Sequence, residues 1–186
     1  MKKTILLTIT ASFIFCNANS QITKGNWLVG GNATFSSQTE KINLIATDVI
    51  SSSIVASPNI GYFIFDKFAG GARISVNYNQ IKYNGSSARS TNFGIGPFLR
   101  YYFLKPDARV NVFAESAYQY ITITNNSTTS TSEKDHFFAF SAGPVIYFNS
   151  TVGIEFTAGY QLYNGSNSTN TRTVSFNIGF QIHLEK

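Results

Sequence analysis

The sequence predicts an all-β protein, an eight-stranded antiparallel transmembrane up-and-down β-barrel. Three observations predict it: the chain starts with a short basic and apolar leader, its composition is aromatic and poor in charge, and apolar and polar residues alternate along eight later segments. Aromatic residues make up 15% of the chain and charged residues only 12%, whereas soluble domains usually carry about 25% charged residues. A barrel crosses a membrane with apolar residues at every second position, so it needs no long apolar run.

The leader has the three parts of a secretory signal peptide. Lys2 and Lys3 form its basic start, an apolar stretch over 5–15 follows, and Ala18-Asn19-Ser20 is a small-x-small cleavage pattern. We expect cleavage before Gln21. A leader of this length and flanking sequence does not suit a membrane anchor.

The predicted signal peptide covers 1–20 and leaves one domain, the barrel, over 21–186. The only cysteine, Cys16, lies in the leader behind bulky residues that do not fit a lipobox, so we expect no lipidation, disulfide, thiolate metal site or cofactor. Of the 14 basic residues two lie in the leader, which leaves 12 against 9 acidic residues, a net charge of +3. This weak and scattered surplus does not predict a nucleic-acid partner.

Short turns alternate with longer polar stretches along the predicted domain. Candidate tight turns lie at Asp66-Lys67, Lys105-Pro106-Asp107 and Asn149-Ser150. The polar stretches, rich in Ser, Thr, Asn and Gly, are 36–53, 82–91, 125–135 and 164–171. In outer-membrane barrels short turns face the periplasm and long loops face outward.

Each of the eight segments between these turns and loops alternates with a period of two residues. They run over 27–35, 53–64, 72–79, 92–103, 110–120, 138–148, 152–162 and 173–184. In the fifth, for example, Val110 and Val112 oppose Asn111 and Glu115. The polar faces hold mostly Gly, Ser, Asn and Gln, with few of the Lys and Glu residues that a water-facing surface carries. We therefore predict a lipid-facing apolar face and a packed, polar interior; a secreted soluble sandwich or lipocalin-like barrel is the alternative.

A proline motif recurs three times in the phase of the lipid-facing residues. Pro58, Pro97 and Pro144 each start the pattern Pro-x-aliphatic-x-aromatic just before a short turn. Proline removes a donor from the ladder of hydrogen bonds, so we expect a bulge or a bend at each.

The chain resembles the small outer-membrane β-barrel domain family of OmpA-like and OmpX-like barrels over the whole predicted domain. The resemblance is carried by the leader, by the segment 58–71 (PNIGYFIFDKFAGG) and by the alternating end 174–182 (VSFNIGFQI). It implies eight strands, an outer-membrane location and recognition of the terminal strand by the barrel-assembly machinery. The end departs from the commonest family pattern because Leu184-Glu185-Lys186 replaces a terminal aromatic residue. The resemblance does not specify an activity, because the family is functionally mixed.

Four charged residues share the inward phase at a similar depth: Arg73, Arg100, Glu115 and Glu155. An eight-stranded barrel has room only for side chains, so we expect them to form a salt-bridge network that blocks the lumen. The alternative is an ion-selective constriction or gate.

No catalytic motif accompanies the two histidines. The residues two positions after His136 and His183 are Phe138 and Glu185, so a His-x-Ser pair for lipid cleavage is absent. We interpret His136 as interfacial and His183 as an interior residue near the C-terminus, and we expect no enzyme.

Apolar residues also lie in the first polar stretch: Ile42, Leu44, Ile45, Val49 and Ile50. Protruding strand extensions and an exposed partner-binding patch would both explain them. The sequence thus predicts a structural or surface-interaction barrel in the outer membrane, with membrane lipid, the assembly machinery and an extracellular partner at the loops as expected partners. A narrow porin-like channel is the alternative.

Overall fold

The computed structural model describes residues 22–42, 47–83, 86–126, 130–164 and 170–185. Eight strands pair antiparallel in chain order and close into a barrel, which confirms the predicted fold class. The strands are β1 (Trp27–Ile42), β2 (Thr47–Phe65), β3 (Phe68–Tyr83), β4 (Ser86–Tyr102), β5 (Val110–Asn126), β6 (Ser130–Tyr147), β7 (Val152–Asn164) and β8 (Asn170–Leu184). No helix among the described residues is long and apolar enough to cross a membrane. The predicted signal peptide lies outside the described residues.

The outside of the barrel is apolar, as the alternation predicts. Ile54, Ile74, Phe93 and Ile178 are exposed on four different strands. Polar and charged residues of the opposite phase, such as Gln181, are buried. This distribution is the reverse of a water-soluble barrel, because large apolar side chains cover the outer wall.

Three short connections join the strands at one end, the turn end. A two-residue turn at Asp66-Lys67 joins β2 to β3, with Lys67 at a φ of 67°. The predicted turn at Asn149-Ser150 joins β6 to β7, where the Asn149 carboxamide oxygen accepts hydrogen bonds from the backbone N–H of Thr151 and Val152 at 2.9 and 2.7 Å. The third connection, around Pro106, is wider and covers 103–109.

The strands extend well into the stretches predicted as polar loops. They are 13 residues long in β7 and up to 19 in β2, and each strand is longer than the alternating segment predicted for it. Only 43–46, 84–85, 127–129 and 165–169 separate the strands at the loop end, and these lie outside the described residues. Polar composition therefore does not mark where antiparallel pairing stops.

Each of the three recurring prolines interrupts pairing on one side of its strand. Pairs are missing around Pro58 between β2 and β3, around Pro97 between β4 and β5, and around Pro144 between β6 and β7, while the register on either side stays the same. The expected bulge is therefore absent: the pairing breaks locally without an inserted residue, because proline supplies no N–H there. Glycine precedes two of the prolines, and a Cβ at Gly96 or Gly143 would lie 1.9 or 1.8 Å from a neighbouring backbone oxygen.

The interior near the turn end is an apolar core, which corrects the expectation of a polar interior. Its buried members are Ile22, Leu28, Phe63, Ala69, Phe98, Tyr102, Phe113, Ala117, Val145 and Tyr147. Ile22 comes from the segment before β1 and is held there by its carbonyl, which accepts the backbone N–H of Lys67 at 3.0 Å. The prediction of a polar interior relied on the polar residues of the inward phase and did not take account of the large apolar residues in the same phase.

The barrel closes between β1 and β8 over a short distance only. Five pairs join them, from Trp27 opposite Leu184 to Gly31 opposite Phe180. Beyond these pairs β1 stays paired with β2, and β8 stays paired with β7, up to the loop end.

Candidate functional site

The four charged residues predicted from the sequence come together inside the barrel. Arg73 lies on β3, Arg100 on β4, Glu115 on β5 and Glu155 on β7, all in the inward phase of their strands. The register places Arg100 directly opposite Glu115 on the neighbouring strand. We call these four residues the charged cluster.

Glu115 accepts hydrogen bonds from both arginines. Arg73 approaches with both terminal nitrogens, Nη1 to Oε1 at 2.6 Å and Nη2 to Oε2 at 3.1 Å. Arg100 donates through Nε to Oε2 at 2.9 Å. Bidentate pairing of a guanidinium with a carboxylate is among the strongest charge-assisted arrangements.

Arg100 also reaches the far wall of the barrel. Its Nη1 donates to Glu155 on β7 and, at 2.9 Å, to the Gln181 side-chain oxygen on β8. Its Nη2 lies 3.3 Å from the second Glu155 oxygen, and Nη1 lies 3.2 Å from the Tyr102 hydroxyl. Arg100 therefore connects strands on opposite sides of the lumen. The alternation along β8 puts Gln181 in the inward phase, but spacing alone does not link it to the cluster.

The cluster is buried and internally neutral. Arg100 is 2% exposed, and Glu115 and Glu155 are similarly buried, whereas the Arg73 side chain keeps 18% of its surface exposed. Two positive and two negative charges satisfy one another. Burial is costly for any charge left without a partner, so each member depends on the others.

Aromatic rings lie against the guanidinium groups of the cluster. The Arg100 guanidinium carbon lies 4.2 Å from the centroid of the Phe113 ring and 5.9 Å from that of Tyr102. Arg73 lies 5.4 Å from the centroid of Phe98. Such contacts favour a desolvated cation. Phe63 packs next to Tyr102, with their ring centroids 5.9 Å apart. We call Phe63, Phe98, Tyr102 and Phe113 the aromatic layer.

Sequence reasoning missed the aromatic layer as part of the site, although the signal was present. Phe98 and Tyr102 are two residues before and after Arg100, and Phe113 is two residues before Glu115, so a period of two places them on the same inward face. Large apolar residues in the inward phase depart from its otherwise polar pattern, and this departure is the signal for the aromatic layer.

His183 lies in the interior, as the sequence predicted, and His136 lies on the outside of the barrel. His183 is buried, with its ring centroid 5.4 Å from those of Phe63 and Tyr147. His136 is exposed on the outer wall, where its Nδ1 lies 2.6 Å from the Tyr118 hydroxyl. Within the described ranges, no group of three or more His, Cys, Asp or Glu residues is arranged to hold a metal ion.

The first polar stretch resolves in part into strand. Ile42 ends β1, and Val49 and Ile50 belong to β2, which agrees with the strand-extension alternative at those positions. Leu44 and Ile45 lie outside the described residues.

Solved structures share this fold. Neisserial surface protein A matches with a TM-score of 0.52 and 11% sequence identity, over 88% of this chain and 98% of that protein. The outer-membrane protein OprG from Pseudomonas aeruginosa matches with a TM-score of 0.57 and 15% identity, over 90% of this chain and all of that protein. No protein-family model matches the chain, and comparison with curated proteins gives no match. The chain thus has the fold of small outer-membrane β-barrels.

Proposed function

We propose that this chain is exported, spans the outer membrane, and acts there as a structural or surface-interaction barrel whose lumen is closed by its own side chains. The apolar outer wall supports membrane insertion, because it suits lipid and not water. The similarity in fold to Neisserial surface protein A and OprG supports the outer membrane as the location.

The observation that carries the closed lumen is the contact between Arg100 and Gln181. In a ring of eight strands β4 and β8 are diametrically opposite, and these two side chains meet at 2.9 Å. Glu115 and Glu155 fill the space beside Arg100, and Phe113 lies against it. Solute that entered from the loop end would have to break these ion pairs before reaching the apolar core.

Three kinds of partner fit this function. Membrane lipid would contact the outer wall, and the barrel-assembly machinery would recognise the alternating strand β8. The loop-end extensions of the strands would present the chain to an extracellular partner. No catalytic role is proposed, because Glu115 and Glu155 are engaged by arginines and neither histidine is followed by a serine two positions later.

A narrow porin-like channel is the second candidate, and one observation favours it. A cavity of about 290 Å³ lies inside the barrel, with the charged cluster among its lining residues. If the cluster rearranged, this cavity would become the outer part of a pore.

Single-channel recording in planar bilayers separates the two candidates. A closed barrel gives no steady conductance for the wild type, and Ser175→Ala, which alters the cavity wall without touching the cluster, gives none either. A steady conductance of the wild type, with an ion selectivity that differs in the Glu155→Gln variant, would support the channel and contradict the closed lumen.

Export is tested separately by N-terminal sequencing of outer-membrane material. The mature chain should begin at Gln21 or its cyclised form. A retained Met1, or an acylated Cys16, would contradict the predicted cleavage.

A further inference from the structure

Backbone pairing between β1 and β8 ends well before the loop end of either strand. Pairing stops at Gly31 and Phe180, although β1 continues to Ile42 and β8 begins at Asn170. Gly31 has a φ of 140°, a conformation that L side chains rarely adopt, at the point where the two strands separate. We call the unpaired stretches, 32–42 and 170–179, the seam.

Side-chain exposure agrees with missing neighbours along the seam. Phe176 is 81% exposed and Phe35 70%. Phe93 and Phe156, which lie on strands paired on both sides, are 46% and 42% exposed. The seam therefore presents two free strand edges and a set of aromatic and aliphatic side chains on the outer wall.

Unpaired backbone groups are costly within a membrane unless they line a water-filled cavity. The cavity of about 290 Å³ would meet this condition when it holds water, because Asn32 on one edge and Ser175, Asn177 and Gly179 on the other are among its lining residues. Water in the cavity can hydrate the free edges from inside. The seam thus lies between the polar cavity and the outer wall of the barrel.

The cavity wall is mixed in character. Val55, Ile121 and Phe137 contribute apolar surface, and Asn59 and Asn77 contribute polar surface. The side-chain oxygens of Asn59 and Asn77 are buried and, within the described part of the chain, have no hydrogen-bond partner. Asn59 is itself only 6% exposed. An unsatisfied buried acceptor favours a ligand or water that donates a hydrogen bond.

We propose that this cavity binds a small, neutral amphipathic molecule that carries a hydroxyl or amide donor, and that the molecule exchanges with the membrane through the seam. Neutrality follows from the charged cluster, whose ion pairs already balance two positive and two negative charges. The apolar part of the molecule contacts Val55, Ile121 and Phe137, and its donor meets Asn59 or Asn77. This inference goes beyond the proposed function and does not depend on whether the barrel conducts ions.

The test uses the folded chain in lipid nanodiscs with 1-dodecanol, a neutral alcohol that enters from the bilayer. The methyl resonances of Val55 and Ile121 report on the cavity, and those of Ile74 and Ile154 report on the lipid-facing wall. We expect saturating shifts at Val55 and Ile121 and only gradual, unsaturated shifts at Ile74 and Ile154. At least one of the variants Asn59→Ala and Asn77→Ala should weaken the binding by about three- to tenfold, as expected for one lost hydrogen bond.

The route is tested by bridging the seam. If the register of the five pairs continued, Thr34 would lie opposite Asn177, so a Thr34→Cys/Asn177→Cys variant is linked with a short bis-maleimide. Linking should abolish the saturating shifts or slow their appearance at least tenfold, while each single-cysteine variant carrying the same maleimide should keep them.

Two results would overturn the proposal. Absence of saturating shifts in the wild type would exclude the binding site. Unchanged rate and amplitude in the linked variant would exclude the seam as the route.

Discussion

The half of the barrel at the turn end and the half at the loop end share one backbone pattern but have opposite interiors. Near the turn end, inward positions carry Phe63, Tyr102 and Phe113, all fully buried, and the charged cluster lies next to them. Toward the loop end the same phase carries small polar residues such as Ser175 and Asn177, which line a cavity. A period of two defines the wall, whereas side-chain size and charge in the inward phase decide where the lumen closes.

The largest expected difference in stability between the two halves comes from removing one charge of the cluster. Glu115→Ala removes the carboxylate shared by Arg73 and Arg100 and should lower the free energy of unfolding by about 3–5 kcal/mol, less where water enters. Gln161→Ala, on the cavity wall, should cost under about 1 kcal/mol because its hydrogen bond to Ser175 is part-buried. Urea titrations in lipid vesicles measure the free energy of unfolding of both variants. Equal losses in the two variants would contradict the distinction between the two halves of the barrel.

Replacing the whole cluster sharpens this prediction. Neutral residues of similar volume at all four positions should destabilise the barrel less than Glu115→Ala alone, because no charge is then left unpaired. A larger loss in the fourfold variant would mean that the ion pairs themselves are strongly stabilising.

The next prediction compares the cost of an arginine on the outer wall with its cost inside the barrel. Ile74→Arg and Ile154→Arg place a charge against lipid and should each cost about 2–4 kcal/mol. Ser75→Arg, one residue along β3, points into the cavity and should cost less. The same titrations apply, and the reverse ranking would invert the assignment of the two faces.

A glycine pair tests packing in the two halves. A Cβ at Gly71, near the turn end, would lie 2.1 Å from the backbone oxygen of Ile60, whereas at Gly159 the nearest atom is the movable Ser175 hydroxyl at 3.1 Å. Gly71→Ala should therefore cost about 1–3 kcal/mol, and Gly159→Ala markedly less. Thermal unfolding of the two variants in the same detergent gives the comparison, and similar midpoints would contradict it.

The smallest effect is expected at the cavity wall itself. Ser175→Ala removes a hydroxyl that accepts weak hydrogen bonds from Gln161 and Asn177 at 3.3 Å each. Its stability should stay within about 0.5 kcal/mol of wild type, as judged by urea titration. A loss of stability above about 2 kcal/mol would mean that the half at the loop end is packed as tightly as the half at the turn end.

Sequence reasoning recovered the elements that depend on local periodicity. The outward phase of all eight strands, the turn at Asp66-Lys67 and the shared depth of Arg73 and Glu115 follow from spacing alone. The loop-end boundaries could not be predicted, because Ser, Thr and Asn are equally suited to a hydrated strand and to a loop. The seam depends on how far two strands distant in sequence stay paired, which no local pattern encodes.

The aromatic layer was predictable in principle. Phe98 and Phe113 share the phase of the charged residues beside them, and their size in a narrow barrel indicates a closed interior. The contact of Arg100 with Gln181 was not predictable, because it depends on the diameter of the closed barrel and on side-chain conformations across it.

Cysteine accessibility tests the division of the barrel most directly. A chain that starts at Gln21 contains no cysteine, so single cysteines at inward positions can be labelled with a membrane-impermeant maleimide in nanodiscs, where both ends are open to solvent. Asn177→Cys and Ser175→Cys, at partly exposed positions, should label rapidly, whereas Ala69→Cys and Ala117→Cys should label only after unfolding. Uniform labelling from Ser175 down to Ala69 would mean that water passes the charged cluster and would contradict a lumen closed at the turn end.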